Sequence, residues 1–321
     1  MFDKNLTTPT PLLQAEALER RLKINHEKIS EIKKNIKILK SGYNGERELN
    51  YQLGQIPYHK YHILHDLRLP AGEAVFQIDV LLLSPNILII LDGKNHSGKI
   101  TIEKNQMIQE TADNREIYEN PISQTNRHKI LLKNWLEAKT LPPIFMDNLV
   151  VFTRSSSEII ITPGYKEAEN KICKSHDLIK KIEELEGYYK KIWMSEQDIL
   201  KVSNLLLRDH TPKRVDILKF FQICESDIII GVQCPECLFA PMDYNRNKWM
   251  CPACQIISKD AHIRAIYDYF LIFKPWFTNA EIRMFLNLSS PRAAGYILSF
   301  LNFTRSGRTS DSIYHQPILF P

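Results

Sequence analysis

The chain lacks any run of about 18 uninterrupted apolar residues, the length a membrane-spanning helix needs. Its opening, MFDKNLTTPTP, lacks the basic-then-apolar order of a secretory signal. The expectation is a cytoplasmic protein with no membrane partner. A strong charge excess is missing too: 42 Lys and Arg against 37 Asp and Glu leave a net charge of +5. That balance permits nucleic acid as a partner without arguing for it. Nothing repeats internally and no stretch is low in complexity, which excludes repeat architectures. The six cysteines could pair as disulfides in a secreted protein, but four fall at metal-ligand spacing, so a reducing compartment fits better. At 321 residues, the chain has room for two or three domains, each with its own core.

What is there centres on Phe76 to Lys94, FQIDVLLLSPNILIILDGK. Two apolar runs meet at Ser84-Pro85-Asn86, and their only acidic residues, Asp79 and Asp92, lie toward the outer ends. If Ser84 faces Ile87, Asp79 lies opposite Asp92. Facing side-chain roots on paired strands are about 5 Å apart, and two bare carboxylates that close call for a cation or a shared proton. Magnesium fits. Asp92 and Lys94 are two apart, so the ammonium shares their strand face. Pro85 cannot take the positive φ of a tight hairpin turn, which leaves a wider or bulged loop as the alternative register.

Ahead of this segment, Leu18, Leu22, Ile29, Ile32, Ile36 and Leu39 follow a three-and-four spacing broken by Asn25, the pattern of one long amphipathic helix. Its stripe packs either on the chain's own next domain or on a second copy, as a homodimer. Ser41 to Gly45 is expected to break it, and a shorter helix from Glu46 to Leu53 to follow. Tyr61 to Leu69, Glu73 to Ser84, Ile87 to Asp92, Gly98 to Glu103, Asn148 to Thr153 and Glu158 to Thr162 read as strands. Asn120-Pro121 reads as a helix start, with Gln124 and His128 on one face. Helices at Ser175 to Tyr188 and Ser195 to Arg208 finish this domain.

Cys234-Pro235-Glu236-Cys237 and Cys251-Pro252-Ala253-Cys254 form two C-x2-C pairs with thirteen residues between. Four thiolates so spaced close a tetrahedron around zinc and leave no open position, a structural site. Beyond them come a helix from Asp260 to Phe273, one capped by Thr278, one capped by Ser289 or Ser290, and a short turn between strands. This is the layout of a winged helix-turn-helix. Arg292, Arg305 and Arg308 are then candidates to meet phosphates or base edges; a helical cap with solvated arginines is the other reading. The domain expectation is an N-terminal helix over 1–41, a mixed strand-and-helix domain over 42–212, a linker and zinc ribbon over 213–259, and a helical module over 260–321.

Residues 42 to about 154 resemble the nuclease-related domain, NERD, of the PD-(D/E)xK restriction-endonuclease-like superfamily. The resemblance rests on Gly45-Glu46 with Leu49 and Leu53, Phe76-Gln77-Ile78-Asp79, Asp92-Gly93-Lys94-Asn95 with Gly98, and Asn120-Pro121 with Gln124. It implies an α/β (α+β) restriction-endonuclease-like core, a mixed central sheet flanked by helices. It also implies a magnesium- or manganese-dependent hydrolysis of DNA, in repair or in defence against invading DNA. Asp79 and Asp92 would ligate the metal, with the Gly93 carbonyl added. Glu46 would hold a water, Lys94 would orient or help deprotonate the attacking water, and Gln124, with His128 beside it, would shape the pocket. The family usually carries glutamate and a β-branched residue where this chain has Asp92 and Gly93. A catalytically degenerate adaptor that binds DNA or a partner is the alternative.

Overall fold

A computed structural model describes residues 1–57, 59–139, 141, 144–307 and 312–317. The chain divides into two units, residues 1–8 with 40–213, and residues 9–39 with 214–321. It opens with β1 (Phe2–Lys4) and α1 (Thr10–Arg21), and α2 (Ile29–Leu53) carries it from the second unit into the first.

The expected single helix over Leu18 to Leu39 is thus two helices. Leu22 has extended backbone after α1, and the residues around Asn25 are turns. Leu18, Leu22, Ile32 and Ile36 are all buried, so the apolar stripe is covered by this chain. The expected break at Ser41 to Gly45 does not occur either, since α2 runs straight through it. Gly45 serves close approach instead: a Cβ there would lie 3.0 Å from both Asn95 Cβ and Thr153 Oγ1. The helix accepts glycine's poor propensity, about 1 kcal/mol relative to alanine, to lie against the end of a strand.

In the first unit, β2 (His62–Ala71), β3 (Ala74–Leu83) and β4 (Leu88–Lys94) form an antiparallel meander. A satellite sheet follows from β5 (Lys99–Ile102), β6 (Gln106–Glu110) and β7 (Arg115–Glu119). Then come α3 (Pro121–Ala138), β8 (Met146–Phe152), β9 (Glu158–Ile161), α4 (Lys166–Lys171), β10 (Ile172–Lys174), α5 (Leu178–Tyr188) and α6 (Glu196–Asp209). The main sheet is mixed, in the order β1-β2-β3-β4-β8-β10, with β4, β8 and β10 parallel. The satellite sheet runs β7-β6-β5-β9. Leu88 to Leu91 and Leu149 to Phe152 are wholly buried, as strands covered on both faces must be. Leu132 and Trp135 of α3 and Ile199 and Val202 of α6 pack with Leu81, Leu83, Leu88 and Ile90. Leu49 and Leu53 of α2 and Leu178 and Ile182 of α5 pack with Val80, Leu82, Ile89 and Leu91. This is a mixed α/β nuclease-like architecture.

The second unit buries α1 beside α7 (Ile217–Phe221) and α8 (Ala261–Ile272). Asp268, fully buried, accepts from Arg21 Nε at 2.6 Å and Arg20 Nε at 2.7 Å, and Arg21 also donates to the Gly231 carbonyl at 2.7 Å. A small antiparallel sheet of β11 (Asp243–Asn245), β12 (Lys248–Met250) and β13 (Ile257–Ser258) lies beside the cysteines. Its first turn, Arg246-Asn247, has positive φ at both residues, the two-residue hairpin geometry that matches strand twist. After α8 come β14 (Trp276–Thr278), α9 (Asn279–Phe285), α10 (Pro291–Ser299), β15 (Thr304–Ser306) and β16 (Ile313–His315), whose sheet order is β14-β16-β15.

Gly45→Val should destabilise the chain by about 1–3 kcal/mol through overpacking. Gly42→Ala, on the same helix with nothing within 4 Å, should stabilise it by up to about 1 kcal/mol. Chemical denaturation of the two variants checks the contrast, and equal effects would refute the close-approach reading of Gly45.

Candidate active site and metal centre

The β3–β4 ladder runs from Leu83 opposite Leu88 to Val80 opposite Leu91. Asp79 and Asp92 occupy the next facing positions. The connecting turn is tight without positive φ: the Ser84 N–H donates to the Ile87 carbonyl at 3.1 Å, and the Ser84 hydroxyl accepts from the Ile87 N–H at 3.2 Å. Beyond Val80 the strands part just enough for a side chain to replace the ladder. Asp79 Oδ2 accepts from the Gly93 N–H at 2.9 Å.

Asp92 is buried, and its Oδ2 is ion-paired with Lys94 Nζ at 2.8 Å. Lys94 Nζ donates to Gln124 Oε1 at 2.8 Å. That contact ties the end of β4 to α3, whose start is fixed as the Asn120-Pro121 pair suggests. Asn120 Oδ1 accepts from the Ile122 N–H at 2.7 Å and from the Ser123 N–H at 3.2 Å. Gln124, Arg127, His128 and Leu131 of α3 then line a cleft of about 430 Å³ together with Phe76, Gln77 and Asp79. The His128 ring packs beside Phe76, 6.4 Å between centroids.

Burial, and then the neighbouring Asp92, pushes the Asp79 carboxyl up to about 7. Glu46, on α2, is pushed up to about 8 by burial first and by Asp79 and Asp66 next, with Lys4 opposing. Both shifts come first from burial and only then from neighbouring carboxylates.

The space above Gly93 is taken by a neighbouring side chain. A Cβ there would lie 2.9 Å from Leu49 Cδ1, so Leu49 fills the space a larger side chain would need.

Four neighbours were not singled out from the sequence. Asp66 sits on β2 at the position facing Asp79, with φ +45° interrupting the ladder. Its Oδ1 accepts from Gln77 Nε2 at 3.0 Å. Lys4 of β1 donates to the carbonyls of His65 and Asp66 at 2.9 and 3.1 Å and so holds that kink. Arg127 is three residues past Gln124, and the helical spacing that linked Gln124 to His128 also reaches it. His96 Nδ1 bonds Gln109 Oε1 at 2.8 Å just past the site. Asp66 and Lys4 left no such signal, because the first is set by a backbone kink and the second by a strand pairing 61 residues away in sequence.

Two carboxylates whose like charges act on each other, Asp79 and Asp92, are a donor set of the kind a hard, oxygen-ligated cation takes. Glu46, Asp79 and Asp92 are nevertheless not drawn tightly together. Among the described residues, the four cysteines are the one group of three or more His, Cys, Asp and Glu side chains with ligand atoms all within 4.8 Å of one another. Cys234 and Cys254 Sγ are 3.5 Å apart, as are Cys237 and Cys251 Sγ. A tetrahedral zinc with bonds of about 2.3 Å sets sulfurs about 3.8 Å apart. The two halves are built alike. In each, the N–H four residues past the first cysteine donates to that cysteine's carbonyl, Leu238 to Cys234 and Gln255 to Cys251. Leu238 and Gln255 both have positive φ. The four-cysteine group could hold zinc.

The sequence-predicted arginines lie in the second unit. Arg292 is exposed in the first turn of α10, and Arg305 is exposed on β15 with its Nε donating to Ser312 Oγ at 2.8 Å. Arg308 lies outside the described residues.

Residues 41–153 match the family model described as the nuclease-related domain, NERD. No curated protein and no solved structure matches the chain. No helix among the described residues is long and apolar enough to cross a membrane.

Because Asp79 and Glu46 hold their protons to higher pH when folded, the stability present below about pH 4 is lost as pH rises through about 7 to 8. Without added magnesium, the free energy of unfolding should therefore fall between those limits, by roughly 1–3 kcal/mol after screening at half-buried groups, and the thermal midpoint with it. Asp79→Asn should flatten the profile, and an unchanged slope would count against the carboxylate pair. Separately, metal analysis should find zinc on the native chain and lose it in Cys254→Ser, with unfolding of the ribbon.

Proposed function

We propose that the first unit is a magnesium- or manganese-dependent nuclease that hydrolyses phosphodiester bonds of DNA. The observation that carries the reading is the Asp79/Asp92 pair facing across β3 and β4 with Lys94 joined to both Asp92 and Gln124, inside the segment that matches a nuclease-related family. Asp79 and Asp92 would hold the cation, with the Gly93 carbonyl as a further ligand. When bound, the ion supplies positive charge for the developing phosphate oxygens and makes water nucleophilic at neutral pH.

The chain's own groups do the rest. An ammonium has three donors; Gln124 takes one, Asp92 faces another, and the third is left to orient the attacking water. Gln124 keeps Lys94 from collapsing wholly onto Asp92. Glu46, its carboxyl raised to about 8, would hold a water on the α2 side. Arg127 and His128 line the cleft where the phosphate backbone would pass. The four cysteines would hold structural zinc, and the helices and hairpin after them would place substrate in the manner of a winged helix.

A nuclease-derived adaptor, binding DNA or a partner without cleaving, is the second reading. It is favoured by the carboxylates that are not gathered within 4.8 Å and by the Asp92-Gly93 departure.

Incubation of the purified chain with linear, circular, single- and double-stranded DNA in magnesium or manganese decides between them. Cleavage is expected, falling about 100-fold or more in Lys94→Ala and Asp92→Asn. Cleavage untouched by Lys94→Ala would remove the site assignment, and salt-sensitive binding without cleavage under any divalent metal would establish the adaptor.

A further inference from the structure

Helix α10 buries Ala294, Ile297 and Leu298 and turns Arg292, Tyr296 and Phe300 outward, one every four residues. Phe300 is 67% exposed and Tyr296 44% exposed. Their ring centroids are 4.8 Å apart at an interplanar angle of 71°, so each ring steadies the other while keeping a face to solvent.

The face carries a cation of its own, Arg292, and from residue 282 to residue 307 the sequence has Arg283, Arg292 and Arg305 and no carboxylate, with Glu281 just before. An apolar protein partner has no use for that, and a second copy of the face would meet its own cations. Duplex DNA meets the cations, but its bases are stacked inside, and its grooves offer edges rather than ring faces. Unpaired nucleotides use both features, with phosphates on the arginines and bases on the aromatic rings.

We propose that the Arg292, Tyr296 and Phe300 face of α10 is a stacking surface for single-stranded polynucleotide. It deepens the nuclease reading by naming the form of nucleic acid the second unit holds, and rests on that reading only for its biological use.

The test is binding by fluorescence anisotropy, in the full chain carrying Lys94→Ala and without added divalent cation, so that no cleavage intervenes. The probes are labelled oligothymidylate and oligouridylate of about 16 nucleotides and a duplex of the same length. The single strands should bind at least about 5-fold tighter than the duplex. Tyr296→Ala and Phe300→Ala should each weaken single-strand binding about 5- to 100-fold. Tyr296→Phe, which keeps the ring, should bind as the parent does, and Phe300→Leu, which keeps only apolar bulk, should remain weak.

Unchanged zinc content and thermal midpoint certify that each variant is folded. Duplex binding equal to or tighter than single-strand binding overturns the proposal, as does full binding by Phe300→Leu. So does sedimentation showing that Tyr296→Ala dissolves a dimer while oligonucleotide binding stays intact. Cleavage by the native chain is scored separately. Loss of cleavage with stacking intact removes the nuclease reading alone, and the converse removes this proposal alone.

Discussion

Two like charges held face to face at the end of an apolar hairpin govern the first unit. Strands β3 and β4 are covered on both faces, so their side chains have nowhere polar to point until the ladder ends. Asp79 and Asp92 stand at that end. Once they are there, their neighbours are constrained. The Gly93 amide turns to Asp79, Leu49 occupies the volume a side chain on Gly93 would need, and Gln124 reaches from α3 to keep Lys94 in place. Asp66 kinks out of β2 opposite the same point. The site is the place where a closed hydrophobic sheet opens, and its charge imbalance is the cost of putting carboxylates there.

Much of this was legible because short-range rules carried it. The Asp79/Asp92 register follows from the two-residue Pro85-Asn86 loop and strand alternation, α3 from Asn120-Pro121, and the metal centre from cysteine spacing alone. What escaped depended on partners distant in sequence or on weak local contrast. Strands β6 and β7, QMIQE and REIYE, are largely polar, and β7, at the edge of the small sheet, is mostly exposed. Their period-2 signal has little hydrophobic amplitude. The apolar stripe keeps its spacing on both sides of Asn25 and so hides the turn that divides the helix, and Gly45 looks like a breaker because nothing in the local sequence announces Asn95 and Thr153 beside it. Lys4 and Asp66 belong to the same class. Their significance comes from a parallel pairing between β1 and β2 that no local pattern encodes.

The two candidate sites differ in ligand hardness. Oxygen donors at the end of β4 would suit a cation that exchanges water and substrate, whereas four sulfurs would suit an ion that holds a fold and exchanges nothing. The four-cysteine segment has little else to hold it. Its three strands are two or three residues long, and the buried Trp249, with its Nε1–H donated to His262 Nδ1 at 3.1 Å, is the main apolar anchor it offers. A core that small cannot close on hydrophobic burial alone.

The Arg21–Asp268 contact joins residues 247 positions apart in sequence, and that separation matters during synthesis. At about 5–20 residues per second, α1 leaves the ribosome tens of seconds before α8 exists to receive it. Throughout that interval a helix with Leu12, Ala15 and Leu18 on its inner face has no partner from its own unit, while the nuclease-related segment between them can already be forming its sheet. The nascent chain therefore carries an unpaired Arg20–Arg21 end and an open apolar stripe past a domain that folds first. The last hundred or so residues set when the second unit can close around α1.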